Sequence, residues 1–132
     1  MTVDDPRIDD LLDYVHATVG DHLRGVFVTE EDGQGRIAWE IPEIRDDVDA
    51  LYRDEDFERM AHEHILSVME NEYHTEIFDL GPRRYFIEGY RDADLVFLTD
   101  DDEHMMTVMI GFDADHEIEL SDFARACLDR LY

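Results

Sequence analysis

Between Arg83 and Phe112, three short apolar runs follow one another with almost nothing between them. Residues 84–90, 94–99 and 105–111 are each rich in aromatic, β-branched or bulky aliphatic side chains, and each is bounded by turn formers. The links, Arg91-Asp92-Ala93 and Asp100-Asp101-Asp102-Glu103, are too short for a crossover. Consecutive runs therefore return antiparallel, and the product is a three-stranded meander. Leu95-Val96-Phe97-Leu98 is more apolar than strict alternation allows, so the central strands are expected to be buried on much of both faces.

The rest of the chain supplies what such a meander needs. Asp5-Pro6 can open a helix, with Asp as cap and Pro at the first helical position. Ile8, Leu11, Leu12, Val15 and Val19 then form one apolar stripe, and Gly20 follows it as a C-terminal stop. Residues 23–29 and 37–41 read as a hairpin around a turn at 31–35, closed by Pro42. Ile44, Val48 and Leu51 have the spacing of a short helical turn. A longer helix starts at Asp54, with Phe57, Met60, Ala61, His64, Ile65, Val68 and Met69 on its inner face. Residues 70–78 fit a continued helix or a strand. Tyr73 and Ile77 keep the helical stripe and favour the helix, which stops at Gly81-Pro82. A last helix over residues 121–132 carries Phe123, Ala126, Cys127, Leu128 and Leu131, capped by Ser121-Asp122. The expected fold is α+β over residues 1–132 as a single domain: a five-stranded antiparallel sheet, hairpin plus meander, with helices covering one face.

Charge bounds the environment and the partners. The net charge is -25, 22 of the 36 acids are Asp, and all 11 basic residues are Arg. The acids occur in every segment, not on one face as a nucleic-acid mimic would need. Adaptation to a cytoplasm of molar salt accounts for this spread, because there the Debye length is about 3 Å and self-repulsion is screened. No basic cluster exceeds Arg83-Arg84, which argues against nucleic-acid binding. No run approaches a membrane span and the first residues lack a signal pattern, so a cytoplasmic protein is expected. The single cysteine, Cys127, falls in an apolar helical pattern and reads as a buried thiol.

Two resemblances follow from these segments. The element order with its meander resembles the roadblock and profilin-like group of small α+β domains. Gly20-Asp21-His22-Leu23-Arg24-Gly25-Val26, Ile44-Arg45-Asp46-Asp47-Val48 and Leu95-Val96-Phe97-Leu98 with its acidic turn resemble small acidic haloarchaeal proteins that carry a domain of unknown function. The second likeness implies a lineage and a cytoplasm. The first implies dimerisation and adaptor work, often beside small GTPases, although no residue signature here marks a GTPase partner.

Candidate chemistry is sparse. His62 and His64 form an H-x-H whose rings would point about 200° apart on a helix. Glu58 and His62 share a helical face and are the candidate metal pair, set against a reading as solvated surface. The acid runs at 100–104 and 113–117 lack the ligand spacing of an EF-hand and read as turns. Neither Ser67 nor Ser121 has a nucleophile context, and Gly33-Gln34-Gly35 has no helix or Lys behind it to cradle phosphate. No catalytic residue and no cofactor is expected. The preferred reading is a non-enzymatic, adaptor-like interaction module whose partner is another protein or itself, as a homodimer. Met106 is the residue to watch on an interaction edge. The alternative is a ligand-sensing domain with a small molecule near Trp39, Tyr85 and Tyr90; a metal-dependent enzyme ranks last.

Overall fold

Five strands form one antiparallel sheet, and helices pack on both of its faces. The computed structural model describes residues 6–31, 34, 36–99 and 106–131, the side chains of residues 68, 71 and 72 excepted. In chain order these hold α1 (Pro6–Val19), a 3-10 turn (Gly20–His22), β1 (Leu23–Glu31), β2 (Ile37–Ile44), α2 (Asp46–Asp49), α3 (Asp54–Phe78), β3 (Tyr85–Gly89), β4 (Ala93–Thr99), β5 (Thr107–Asp113) and α4 (Leu120–Leu131). The sheet order is β2-β1-β5-β4-β3. The expected hairpin and meander are therefore joined by an antiparallel pairing of β1 with β5, from Leu23↔Phe112 to Thr29↔Thr107.

The sheet's two faces are built by alternate residues. Val26, Ile110 and Val96 lie side by side across β1, β5 and β4 and face α1 and α4, where Leu11, Val15, Phe123, Cys127 and Leu128 complete the main core. One residue along, Phe27, Met109 and Phe97 face the other way, towards α3, with Phe57 and Ala61 over Phe27. Helices on one face only was thus the wrong expectation. An uninterrupted apolar run gives each layer every second side chain, and two apolar faces need two covers. Each fully buried Leu or Phe contributes about 1.5–3 kcal/mol relative to exposure.

Several boundaries follow local chemistry that the pattern did not reveal. β2 continues through Pro42, because Ile41 and Pro42 stand opposite Phe27 in a bulge, and β2 is an edge strand that needs no amide there. The hairpin therefore does not end at Pro42. Gly20, at φ 61°, takes the left-handed position that closes α1. α3 runs unbroken to Phe78, and Asp79, at φ 52°, stops it before Gly81. α4 is capped by Glu119, whose carboxylate accepts from the amides of Ser121 and Asp122 at 3.4 and 2.7 Å, and not by Ser121. Those two hydrogen bonds, Asp122's first, hold the Glu119 carboxyl below its ordinary range. Asp5, the loop at 100–104, Met105 and most of the turn at 31–35 lie outside the described residues. No described helix is long and apolar enough to cross a membrane.

Candidate functional site

The long helix α3 has three faces, and only one is spent on the fold. Phe57, Ala61, His64 and Ile65 recur at helical spacing and are buried. Phe27 holds this face by ring contacts to Phe57 at 6.3 Å and to Trp39 at 5.9 Å. His64 closes it: its Nδ1 lies 3.2 Å from Thr29 Oγ1, and the rings of Phe27 and Phe97 meet the imidazole edge-on at 5.0 and 5.3 Å. Burial lowers the His64 pKa to about 4, so the ring is neutral at pH 7.

A second face of α3 looks outward and is apolar. Leu66, Met69, Tyr73 and Ile77 are 52%, 59%, 63% and 54% exposed, and their spacing of three and four residues puts them on one stripe. Leu80, 86% exposed, continues it past the helix end. The start of β3 is tied beneath this half of α3: Arg83 donates to the Ser67 carbonyl at 2.9 Å and lies 4.2 Å over the Phe86 ring. β3, like β2, is an edge strand.

The third face borders a half-open slot of about 850 Å³ between the first half of α3 and the sheet. Its floor is the directly paired Gly25 and Gly111 with Leu95, Phe97 and Met109 beside them. At the end of the same strands a polar node locks the fold. Arg45 donates to both oxygens of Asp113, at 2.7 and 2.9 Å, to Asp47 at 2.6 Å and to the Asp21 carbonyl at 3.0 Å, while Arg24 stands 3.5 Å from Asp113. Hydrogen bonding to Asp113, then to Asp47, raises the Arg45 pKa, and the Arg45 hydrogen bond lowers that of Asp113.

A family profile described as a domain of unknown function, DUF7522, matches residues 9–132. The chain belongs to the DUF7522 family. Solved structures similar to this DUF7522 domain include Myxococcus xanthus MglB, at a TM-score of 0.59 and 11% identity over 99% of this chain and 91% of that one. The gliding protein MglB from Thermus thermophilus superimposes at 0.56 with 12% identity, over 99% and 92% of the two chains. An MglB with a tetrameric arrangement gives 0.53 with 11% identity, over 98% and 96%. At these identities the likeness is one of fold, and the fold is roadblock-like. No curated protein sequence matches the chain.

The residues singled out from the DUF7522 sequence are not gathered in one place. Glu58 and His62 are both exposed on α3. Of the three aromatic pocket candidates, only Tyr90 lines the slot; Trp39 packs in the cluster around Phe27, and Tyr85 joins the main core on the opposite face. Met106 is 2% exposed in that main core, and β5 is a central strand, so the open edges belong to β2 and β3. Met69, Tyr73 and Ile77, expected to continue the inner stripe, turn outward. Cys127 is buried, and burial pushes its thiol up to about 12.

His116, in the acid-rich turn at 113–117, serves the fold as well. The Ile118 amide donates to His116 Nδ1 at 3.0 Å, so Nε2 carries the hydrogen given to Asp94 at 2.7 Å. His22, Asp113 and Asp115 approach within 4.8 Å of one another, but Arg45 and Arg24 already supply positive charge to Asp113. The signal missed in the sequence was Arg45: it is one of 11 arginines, Asp47 is its near neighbour in the chain, and only the fold brings Asp21 and Asp113 to it. Arg45→Met and Asp113→Asn should each cost about 2 kcal/mol of stability, with the double variant costing little more than either. Urea unfolding in molar KCl reads this cycle; additive losses would show that the pair is not coupled.

Proposed function

We propose that this DUF7522 domain is a non-enzymatic protein-interaction module that pairs with a second copy of itself through the outer stripe of α3. The single observation that carries this reading is the stripe from Leu66 to Leu80. Its apolar side chains are more than half exposed on a helix whose other side already holds the core. A stripe on one helix is self-complementary about a two-fold axis, so two copies of α3 can cover each other. An exposed apolar patch bordered by charges marks a contact surface, since little else keeps so many large apolar groups at a surface. Glu70, four residues after Leu66 and three before Tyr73, borders the stripe on the same face together with His74, so the contact is apolar with a charged margin. That one similar structure is an MglB with a tetrameric arrangement supports assembly in copies as a use of this fold. Sedimentation of the chain over a range of concentrations in molar KCl should find a species of twice the chain mass. A monomer throughout would overturn the pairing.

The setting belongs to the same proposal: a haloarchaeal cytoplasm rich in salt. A net charge of -25 without any Lys supports it. Raising KCl from about 0.1 M to about 1 M shortens the Debye length from about 10 Å to about 3 Å, which removes most of the repulsion between surface carboxylates. The melting temperature should therefore climb steeply over that range. A melting temperature indifferent to salt would remove the halophilic part of the reading. A small-molecule sensor has the slot beside α3 in its favour, but a small-ligand site encloses most of its ligand, and this slot is half open.

A further inference from the structure

We propose that the slot between α3 and the sheet receives a short basic and apolar segment of a partner protein. The inference rests on the interaction-module reading but not on the pairing of copies, because the slot lies on the other flank of α3 and is complete in one chain. Its volume, about 850 Å³, is at the upper end of the range for ligand sites, roughly 300–1,000 Å³.

Three features of the slot define its occupant. The first is a floor of paired glycines. Gly25 and Gly111 pair directly, and a Cβ on Gly111 would meet Leu95 Cδ2 at 3.3 Å, while one on Gly25 would press on the Glu43 carbonyl at 3.0 Å. The backbone carbonyl crowds a side chain at Gly25, whereas at Gly111 the Leu95 methyl would have to give way; with glycine at both positions the floor is open backbone flanked by Phe97 and Met109. The second is an adaptable apolar wall. Met60 from α3 faces Met109 from the sheet, and unbranched thioethers reshape around side chains of different outline. Leu51 and Tyr90, 66% and 58% exposed, stand at the mouth, where they can close over a guest.

The third feature is the sign of the rim. Asp56 and Glu63 come from α3 and Glu88 from β3, whereas Glu43 turns its carboxylate to His16 of α1 and borders the floor with its backbone carbonyl. Of the two arginines at the slot, Arg24 is turned to Asp113, which leaves Arg59 against three carboxylates. An acidic rim over an apolar floor fits a guest with the opposite layout, apolar side chains below and Arg or Lys at the edges. A second copy of this chain is a poor source of such a segment, with 36 acids to 11 arginines spread through its length. The occupant is therefore a different protein. At high salt the charges are screened, so the floor supplies the affinity and the rim discriminates between guests.

The test uses the isotope-labelled full chain, in KCl at the lowest concentration that keeps it folded. The probe is a blocked peptide of roughly ten residues alternating Arg and Leu with one Phe; its twin carries Glu at every Arg position. The amide signals of Gly25, Leu95, Met109 and Gly111 should move with the Arg peptide, and the Glu twin should bind at least tenfold more weakly. Glu63→Arg with Glu88→Arg should lower the affinity for the Arg peptide at least tenfold, while Leu66→Glu leaves it unchanged. Shifts confined to the Leu66–Tyr73 stripe, equal affinity for the two peptides, or no shifts at millimolar peptide would each overturn the slot. Sedimentation reads the pairing of copies separately, so either idea can fail without the other.

Discussion

Leu66→Glu combined with Tyr73→Glu is expected to convert the paired chain to monomer, weakening association about a hundredfold or more. The two side chains are 52% and 63% exposed, so neither holds the fold together, and the variant should melt within a few degrees of the parent. In a two-fold interface each substitution is made twice. Four apolar contacts are lost and four carboxylates are placed where water is excluded. A hundredfold change corresponds to about 2.7 kcal/mol, which is less than about 1 kcal/mol per lost contact and within what apolar burial alone provides. Sedimentation gives the dissociation constant, and thermal unfolding of the same samples shows that the fold is intact. Unaltered association in this variant would move the contact elsewhere, and the next surface to test would be the open edge of β3.

The stripe also shows where sequence reasoning reached its limit. The first and last helices were legible because each carries one strong helical period, and the meander and hairpin because their strands are short apolar runs bounded by turn residues. α3 was legible as a helix, but not in how it sits. It carries two apolar stripes, Phe57-Ala61-His64-Ile65 and Leu66-Met69-Tyr73-Ile77, and periodicity alone merges them into one broad inner face. The structure separates them, because the sheet offers cover only to the first. The slot was half legible for a related reason. A small-molecule site near Trp39, Tyr85 and Tyr90 was expected, but those rings were assigned by residue type. Parity along the strands decides which rings can reach it. Tyr85 pairs with Leu98 and therefore faces α1 and α4, whereas Gly25 and Gly111 face α3 and carry nothing that composition would mark. Contacts between distant segments were the least legible. The Arg45–Asp113 pair spans 68 residues, in a chain where almost any arginine has an aspartate nearby.

His64 gives the second large effect, and its sign follows from burial. The ring is 4% exposed beneath α3, its Nδ1 is engaged with Thr29 and its flanks meet Phe27 and Phe97 edge-on. Its pKa is about 4 in the fold against about 6.5 in the unfolded chain. A pKa depressed by folding means that the unfolded state takes up the proton first. The stability tied to neutral His64 is therefore fully present above about pH 6.5 and drains away as the pH falls towards 4, at about 1.4 kcal/mol per unit. Between pH 7 and pH 4.5 the parent should lose about 2.5 kcal/mol more than His64→Gln, which keeps a polar partner for Thr29 but has no proton to gain. The many carboxylates titrate in both proteins, so the difference between their urea-unfolding curves isolates the imidazole. Parallel loss in the two proteins would mean that the ring charges inside the fold. That in turn would require α3 to lift from the sheet, admitting water between Phe27 and Phe97, more easily than this packing allows.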